Sequence, residues 1–223
     1  MEYIKIDRID HPLFASMHDL MKRIFPPEEV LEYALWREPL EDPDIQVYAA
    51  VNDGEVVGAT EYRYHERLNV AMTDFTIIGK PGLGIGRFLL RQRERHLLEL
   101  ASARGKQLRG MFAEIYDPYR VSDHTFGGVR TMDPYVRREV LSHIGYQRLD
   151  FAYVHPSWEN DGGGVLGLDF CFLPYAEQGE ELPADLIYDF LSFYYAVLAN
   201  KPEQWHEMMR NLQSRNTVKL LPI

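Results

Sequence analysis

Ile45, Val47, Ala49 and Val51 alternate with Gln46, Tyr48 and Ala50, the two-residue period of a strand with one face turned to a core. Asn52-Asp53-Gly54 follows with turn chemistry, and Val56 to Tyr62 returns as a second strand, so the segment predicts a β-hairpin. A third strand runs from about Asn69 into Thr76-Ile77-Ile78. Ahead of the hairpin the period changes. Leu13, Met17, Leu20, Met21 and Ile24 recur at helical spacing up to Pro26-Pro27. A second helix is predicted from just after Pro27, with Glu28 and Glu29 at its positive end and Val30, Leu31, Ala34 and Leu35 on its apolar side. A short strand, Tyr3 to Ile6, precedes both helices.

Downstream, Phe88, Leu89, Leu97, Leu100 and Ala101 line one face of a long helix that Gly105 can end. Arg93 falls inside that stripe, and the expected placement is a stem along the core edge with its guanidinium in water. Gln107 to Ile115 reads as a strand and Pro134 to His143 as a helix closing near Gly145. Phe151 to Val154 and Val165 to Leu173 read as strands of an antiparallel hairpin, joined across Asn160-Asp161-Gly162-Gly163-Gly164. Beyond Leu182, Leu186, Phe190, Phe193 and Val197 form one apolar stripe, and Ile187, Leu191, Tyr194 and Leu198 form another beside it. So wide an apolar helix needs cover on more than one side. Packing on the domain, a homodimer contact and a wall of an acceptor pocket are the three readings.

The richest local signal lies between the third strand and the long helix. Gly82, Gly84 and Gly86 permit positive φ and close backbone approach, and the helix behind them offers unpaired amides at its positive end. That combination suits a phosphate or pyrophosphate. A Walker loop would need Lys-Ser/Thr after its glycines, whereas Arg87-Phe88 stand here, and the spacing of a Rossmann fingerprint does not fit either.

Pro81-Gly82-Leu83-Gly84-Ile85-Gly86, followed by Phe88-Leu89-Leu90, instead resembles the acyl-CoA-binding loop of the GNAT superfamily of N-acyltransferases. The order of elements from about Tyr3 to about Leu173 is similar to that family's, as is Val140 to Tyr146 with its Gly-Tyr pair. The resemblance implies an α/β fold of the α+β type: a mixed, mostly antiparallel central sheet, splayed at the cofactor site, with helices on both faces and extra C-terminal helices. It implies a GNAT-like domain over 1–175; the segment from Leu182 onward lies outside the resemblance, and its apolar stripes predict a helical extension over 176–223 that packs on the domain or on a partner subunit. Acyl-CoA is the implied co-substrate, in a gap between the strand ending at Ile78 and the strand from about Gln107. Its contacts are expected at Phe75, Thr76, Ile77, Lys80, Gly82, Leu83, Gly84, Ile85, Gly86 and Arg87, with a freed amide near Phe75 to Ile77 polarising the thioester. Three departures stand out. Lys80-Pro81 replaces the usual loop-opening Gln or Arg, Leu141 occupies the place of the family's proton-donating tyrosine, and Pro134 that of an expected Asn.

The implied chemistry is amine acylation, most simply acetyl transfer by direct attack in a ternary complex. A base must take the ammonium proton. Glu114, in the apolar run Met111 to Ile115, is the first candidate, followed by Asp74, then Asp117 and Glu61; His65 and His124 sit among polar neighbours. Tyr116, with Tyr119 and Tyr135 as further substitutes, is the candidate acid in place of Leu141, or the thiolate leaves to solvent. The insertion from Asp117 to Met132 could cover the acceptor site. Cys171 sits in an apolar, strand-like run and reads as a buried structural thiol, so neither a covalent enzyme nor a cysteine metal site is expected. A net charge of −10 without a basic tract argues against a nucleic-acid partner, and the absence of a long apolar window argues against a membrane span. The N-terminus lacks signal-peptide character, so a cytoplasmic protein acting on an amine of unknown identity is expected. The alternatives are a GNAT-like module that binds acyl-CoA without turnover, and a domain whose loop binds nothing.

Overall fold

A computed structural model describes residues 1–25, 30–120, 133–158, 160–176 and 179–223. The chain divides into two compact units, Met1–Leu108 and, among the described residues, 109–120 with 133–223.

The first unit runs β1 (Glu2–Lys5), α1 (Phe14–Ile24), a 3-10 turn (Tyr33–Trp36), α2 (Arg37–Glu41), β2 (Ile45–Asn52), β3 (Glu55–His65), β4 (Val70–Ile78) and α3 (Ile85–Ser102). Its strands lie in the order β1-β2-β3-β4, each pair antiparallel. Asn52 pairs with Glu55, and the two residues between them, Asp53 and Gly54, have φ of 51° and 80°. Two successive positive φ values match the twist of the flanking strands, which explains why Asp-Gly stands there. The predicted alternation along β2 sorts residues between two buried faces. Val47, Ala49, Ala59 and Ile77 pack with Phe14, Met17, Leu20 and Met21 of α1 and with Trp36 and Leu40. Ala50 and Val57 pack with Ile85 and Leu89 of α3. Helices therefore cover both faces, as expected.

The second helix departs from the sequence expectation. Its predicted start, at 27–29, lies outside the described residues. The anchors are Trp36 and Leu40, both buried, whereas Leu31 and Leu35 are exposed. Side chains claim the carbonyl that a helix would use: Leu31 O accepts from Trp36 Nε1 at 3.2 Å and lies 2.9 Å from His18 Nε2. The chain is thus held in a short 3-10 turn and a five-residue helix.

Gly58 of β3 lets the start of α3 approach the sheet. A Cβ there would lie 2.5 Å from Ile85 Cγ2 and 2.7 Å from Ile77 O. Backbone cannot yield as a side-chain tip can, so Gly58→Ala should lower unfolding free energy by about 1–3 kcal/mol in a denaturant titration. An unchanged midpoint would show that Ile85 has room to move.

The second unit comprises β5 (Gly110–Tyr116), α4 (Pro134–Ile144), β6 (Gln147–Leu149), β7 (His155–Pro156), β8 (Gly164–Val165), β9 (Leu168–Pro174), β10 (Glu181–Pro183), α5 (Ala184–Tyr194), α6 (Glu203–Gln213) and β11 (Thr217–Pro222). The order β5-β9-β6-β11-β10 is antiparallel throughout, with β7 and β8 as a separate pair. Asp133 caps α4 by accepting the Tyr135 and Val136 amides, and Gly145 closes it at φ 109°, the end that the sequence suggests.

Two strand expectations change. The strand expected at Phe151 to Val154 is β6, four residues earlier, because the chain leaves the sheet where the Asp150 amide bonds Lys219 O. Phe151 and Tyr153 instead pack on Phe170. The C-terminal segment contains α5 and α6, and it also supplies β10 and β11. Of the two stripes predicted on α5, Leu186, Ile187, Phe190 and Leu191 are buried, while Phe193, still within the helix, is exposed, and Val197 is exposed beyond the helix end at Tyr194. Cys171 is fully buried in β9, and burial first, then Asp169, raises its thiol well above the ordinary range. Among the described residues, no helix is long and apolar enough to cross a membrane.

Candidate active site

The glycine loop joins β4 to α3 in the manner its sequence demands. Gly82 and Gly84 have φ of 83° and 68°, and Gly84 is the N-cap of α3. A Cβ at either position would meet nothing within 4 Å, so the left-handed backbone, not crowding, calls for glycine there. No side chain caps the helix, and its first internal bond runs from the Phe88 amide to Gly84 O at 3.0 Å. The amides of Ile85, Gly86 and Arg87 therefore precede the helical ladder. Gly86 meets a different constraint, since a Cβ would lie 3.0 Å from Ile78 Cδ1. Gly79 is fixed by its amide bond to Val57 O at 2.8 Å. Lys80 is drawn away from the loop by Glu55, 2.5 Å from its Nζ. Arg87 is exposed and makes no ion pair among the described residues.

Arg93 is not where the sequence expectation put it. It is 4% exposed, and its Nη1 lies 2.8 Å from both Thr73 Oγ1 and Thr76 Oγ1 and 3.1 Å from Thr60 Oγ1. Three hydroxyls from β3 and β4 hold the guanidinium under α3. The Nε has no partner. Of the expected cofactor contacts on β4, Phe75 gives its carbonyl to Thr60 and its ring to Phe25 and Trp36, Thr76 serves Arg93, and Ile77 is fully buried.

An acidic pair occupies the same unit. The β3–β4 register shifts between Glu61 and Tyr62: Glu61 faces Phe75, Tyr62 faces Thr73, and Asp74 is the extra residue of a bulge. Arg63 lies 3.6 Å from Glu61 Oε1 and 3.5 Å from Asp74 Oδ2. Burial, then the charge of Asp74, pushes the Glu61 carboxyl up to about 8, against the opposing pull of Arg63. Glu61, ranked below Asp74 from sequence, is thus the group whose proton exchanges near neutral pH.

In the second unit Glu114 sits on β5 opposite Phe170. Its Oε1 accepts from the hydroxyls of both Tyr153 and Tyr195, the latter at 2.5 Å, and those hydroxyls lie 2.8 Å apart. Burial foremost, then the charge of Glu114, raises both phenols well above their ordinary range, so they act as neutral donors. Glu114 Oε2 has His155 Nε2 at 3.5 Å. The sequence reading did not single out Tyr153, His155, Trp158 or Tyr195 for this site. A cluster of aromatics at 151–158 was the available signal. Tyr116 lies two residues on, on the same face of β5. Asp117 is committed to structure: partial burial works upward, but the Tyr119 amide, Arg120 and Arg138 together hold its carboxyl low. Tyr119 and Tyr135 are exposed and meet edge to face, Leu141 is half-buried on α4, and His65 accepts the Leu68 amide in a turn. His124 and residues 121–132 lie outside the described residues.

No protein-family model matches the chain, and no curated protein matches it in sequence. Solved structures do match in shape. A GNAT-family protein of Bacteroides thetaiotaomicron superposes with a TM-score of 0.61 at 18% identity, covering 90% of this chain and 100% of the other. The fold is the GNAT fold. The ribosomal-protein-S18-alanine N-acetyltransferase of Escherichia coli matches with a TM-score of 0.52 at 12% identity, over 81% of this chain and 97% of its own. An aminoglycoside 6'-N-acetyltransferase solved with coenzyme A matches with a TM-score of 0.52 at 19% identity, over 80% and 99%. A GNAT fold fixes neither acceptor nor roles, which must come from this chain's own groups.

Proposed function

We propose that this GNAT-fold chain transfers an acyl group, acetyl being the simplest, from acyl-CoA to a primary amine by direct attack in a ternary complex. The observation that carries the reading is the start of α3, where two left-handed glycines lead into a helix whose first amides, of Ile85, Gly86 and Arg87, precede the helical ladder with no described side-chain cap. Such a cradle fits the two charges of a pyrophosphate. Residues Gly82, Leu83, Gly84, Ile85, Gly86 and Arg87 hold it through their backbone, Arg87 adds its free guanidinium, and Lys80 contributes only by leaving Glu55. The backbone of Phe75, Thr76 and Ile77 lies along the pantetheine arm.

Acyl-CoA supplies an activated thioester carbonyl. The amine lone pair forms the new C–N bond, the C–S bond breaks, and the sulfur leaves as the thiolate of CoA. We place proton acceptance on Glu61 with Asp74, because a carboxyl raised to about 8 is, once ionised, a stronger base toward an ammonium than an ordinary carboxylate. The thiolate gains its proton from Tyr116 or from water.

A binding module without turnover is favoured by one pair of facts, Leu141 at the acid position and Lys80 engaged with Glu55. Calorimetric titration with acetyl-CoA, followed by thiol release with a panel of amines, separates the two. Saturable binding with amine-dependent release is expected. Binding with no release for any amine would leave the module reading, and no binding at millimolar acetyl-CoA would overturn both.

A further inference from the structure

Glu114 carries a negative charge whose second oxygen is nearly unused. Its Oε1 takes two phenolic donors, whereas Oε2 has only His155 Nε2, at 3.5 Å and beyond a well-formed hydrogen bond. No Lys or Arg pairs with Glu114 among the described residues, although its side chain is only 18% exposed. A carboxylate that far from water ordinarily has a cationic partner.

Beside it stands an aromatic wall. Trp158, carried by the turn between β7 and β8, is 49% exposed, yet its ring is fixed 5.5 Å from Tyr195, 5.9 Å from Tyr194 and 6.1 Å from His155. His155 and Tyr195 thus touch both the carboxylate and the indole. His155 is itself 7% exposed, and its Nδ1 has no partner among the described residues. A half-open indole, the ring that binds cations best, next to a carboxylate with a vacant acceptor is chemistry for an ammonium group.

We propose that Glu114 and Trp158, with Tyr194 beside them, form a binding site for an organic cation, an alkylammonium whose N–H donates to Glu114 Oε2 while its charge rests on the indole. The binding of this cation does not rest on the acyl-transfer reading. The chain's net charge of −10 draws such cations to the surface.

The test is calorimetric titration of the full chain with 1,4-diaminobutane, and separately with 1,4-butanediol, in the absence of acyl-CoA. The diamine binds saturably and the diol does not, and both Glu114→Gln and Trp158→Leu weaken diamine binding by about 10-fold or more. Trp158 is half-exposed, so its variant keeps the test valid even if Glu114→Gln loosens the tyrosine pair. Equal binding of the diol, no diamine binding, or affinity unchanged in Trp158→Leu would overturn the proposal. Diamine binding without acetyl-CoA binding would sink acyl transfer and leave this site standing; acetyl-CoA binding without diamine binding would do the reverse.

Discussion

Replacing Glu61 by Gln should lower amine acylation by about 100-fold or more and remove the rise of kcat/KM with pH that is expected of the wild-type chain through about 8. The group is buried, shares its surroundings with Asp74, and has a guanidinium 3.6 Å away. Burial and the neighbouring carboxylate favour its neutral form, so at low pH it holds its proton and cannot accept another. Above about 8 it is ionised and competent. Acceptors ionise too, so the profile should be taken with two amines of different basicity. An inflection that follows the amine belongs to the amine, and one that stays near 8 in both belongs to Glu61. A profile unchanged in Glu61→Gln would remove Glu61 from the chemistry.

The same shift makes a stability statement with a definite sign. The folded-state carboxyl ionises at about 8 against 4.5 for the free side chain, so the folded chain binds more protons between those values. Its contribution is complete below the lower value and is lost as pH rises through the upper one. The wild-type melting temperature should therefore fall from weakly acidic pH toward pH 8 more steeply than that of Glu61→Gln. Equal slopes would mean that the proton on Glu61 is not part of the folded state.

What the sequence made legible is what backbone conformation dictates locally. Asp53-Gly54, Gly84 and Gly145 each stand where a turn or helix end needs a particular φ, and each was readable without the fold. Pairing between distant segments was not. In β11 only Val218 and Leu220 alternate into the core, too few positions to mark a strand, and its partners β10 and β6 lie about 35 and about 70 residues earlier. The site divides the same way. The glycine loop is contiguous and was found, whereas the partners of Glu114 stand 39 and 81 residues away and meet only in the folded unit. Arg93 failed for a related reason. In a helical stripe it looks like an aliphatic stem reaching for water, and only the β3–β4 register brings Thr60, Thr73 and Thr76 under its guanidinium.

Gly84→Glu should abolish acetyl-CoA binding while leaving the chain folded. The position is the N-cap of α3 at φ 68°, where a side chain meets open space, so the cost is backbone strain of about 1 kcal/mol, partly offset by an anion at the positive helix end. That new carboxylate occupies the ground proposed for a pyrophosphate. Two like charges about 5 Å apart repel by about 3 kcal/mol near a protein surface, enough for a loss of more than about 100-fold. Gly84→Asn is the control, because asparagine tolerates left-handed backbone and adds no charge. It should retain affinity within about 10-fold. If Gly84→Glu binds as the wild type does and melts at the same temperature, the loop does not hold the phosphates. If Gly84→Asn loses binding as fully as Gly84→Glu, the effect is one of loop shape rather than of charge, and the helix dipole has no part in it.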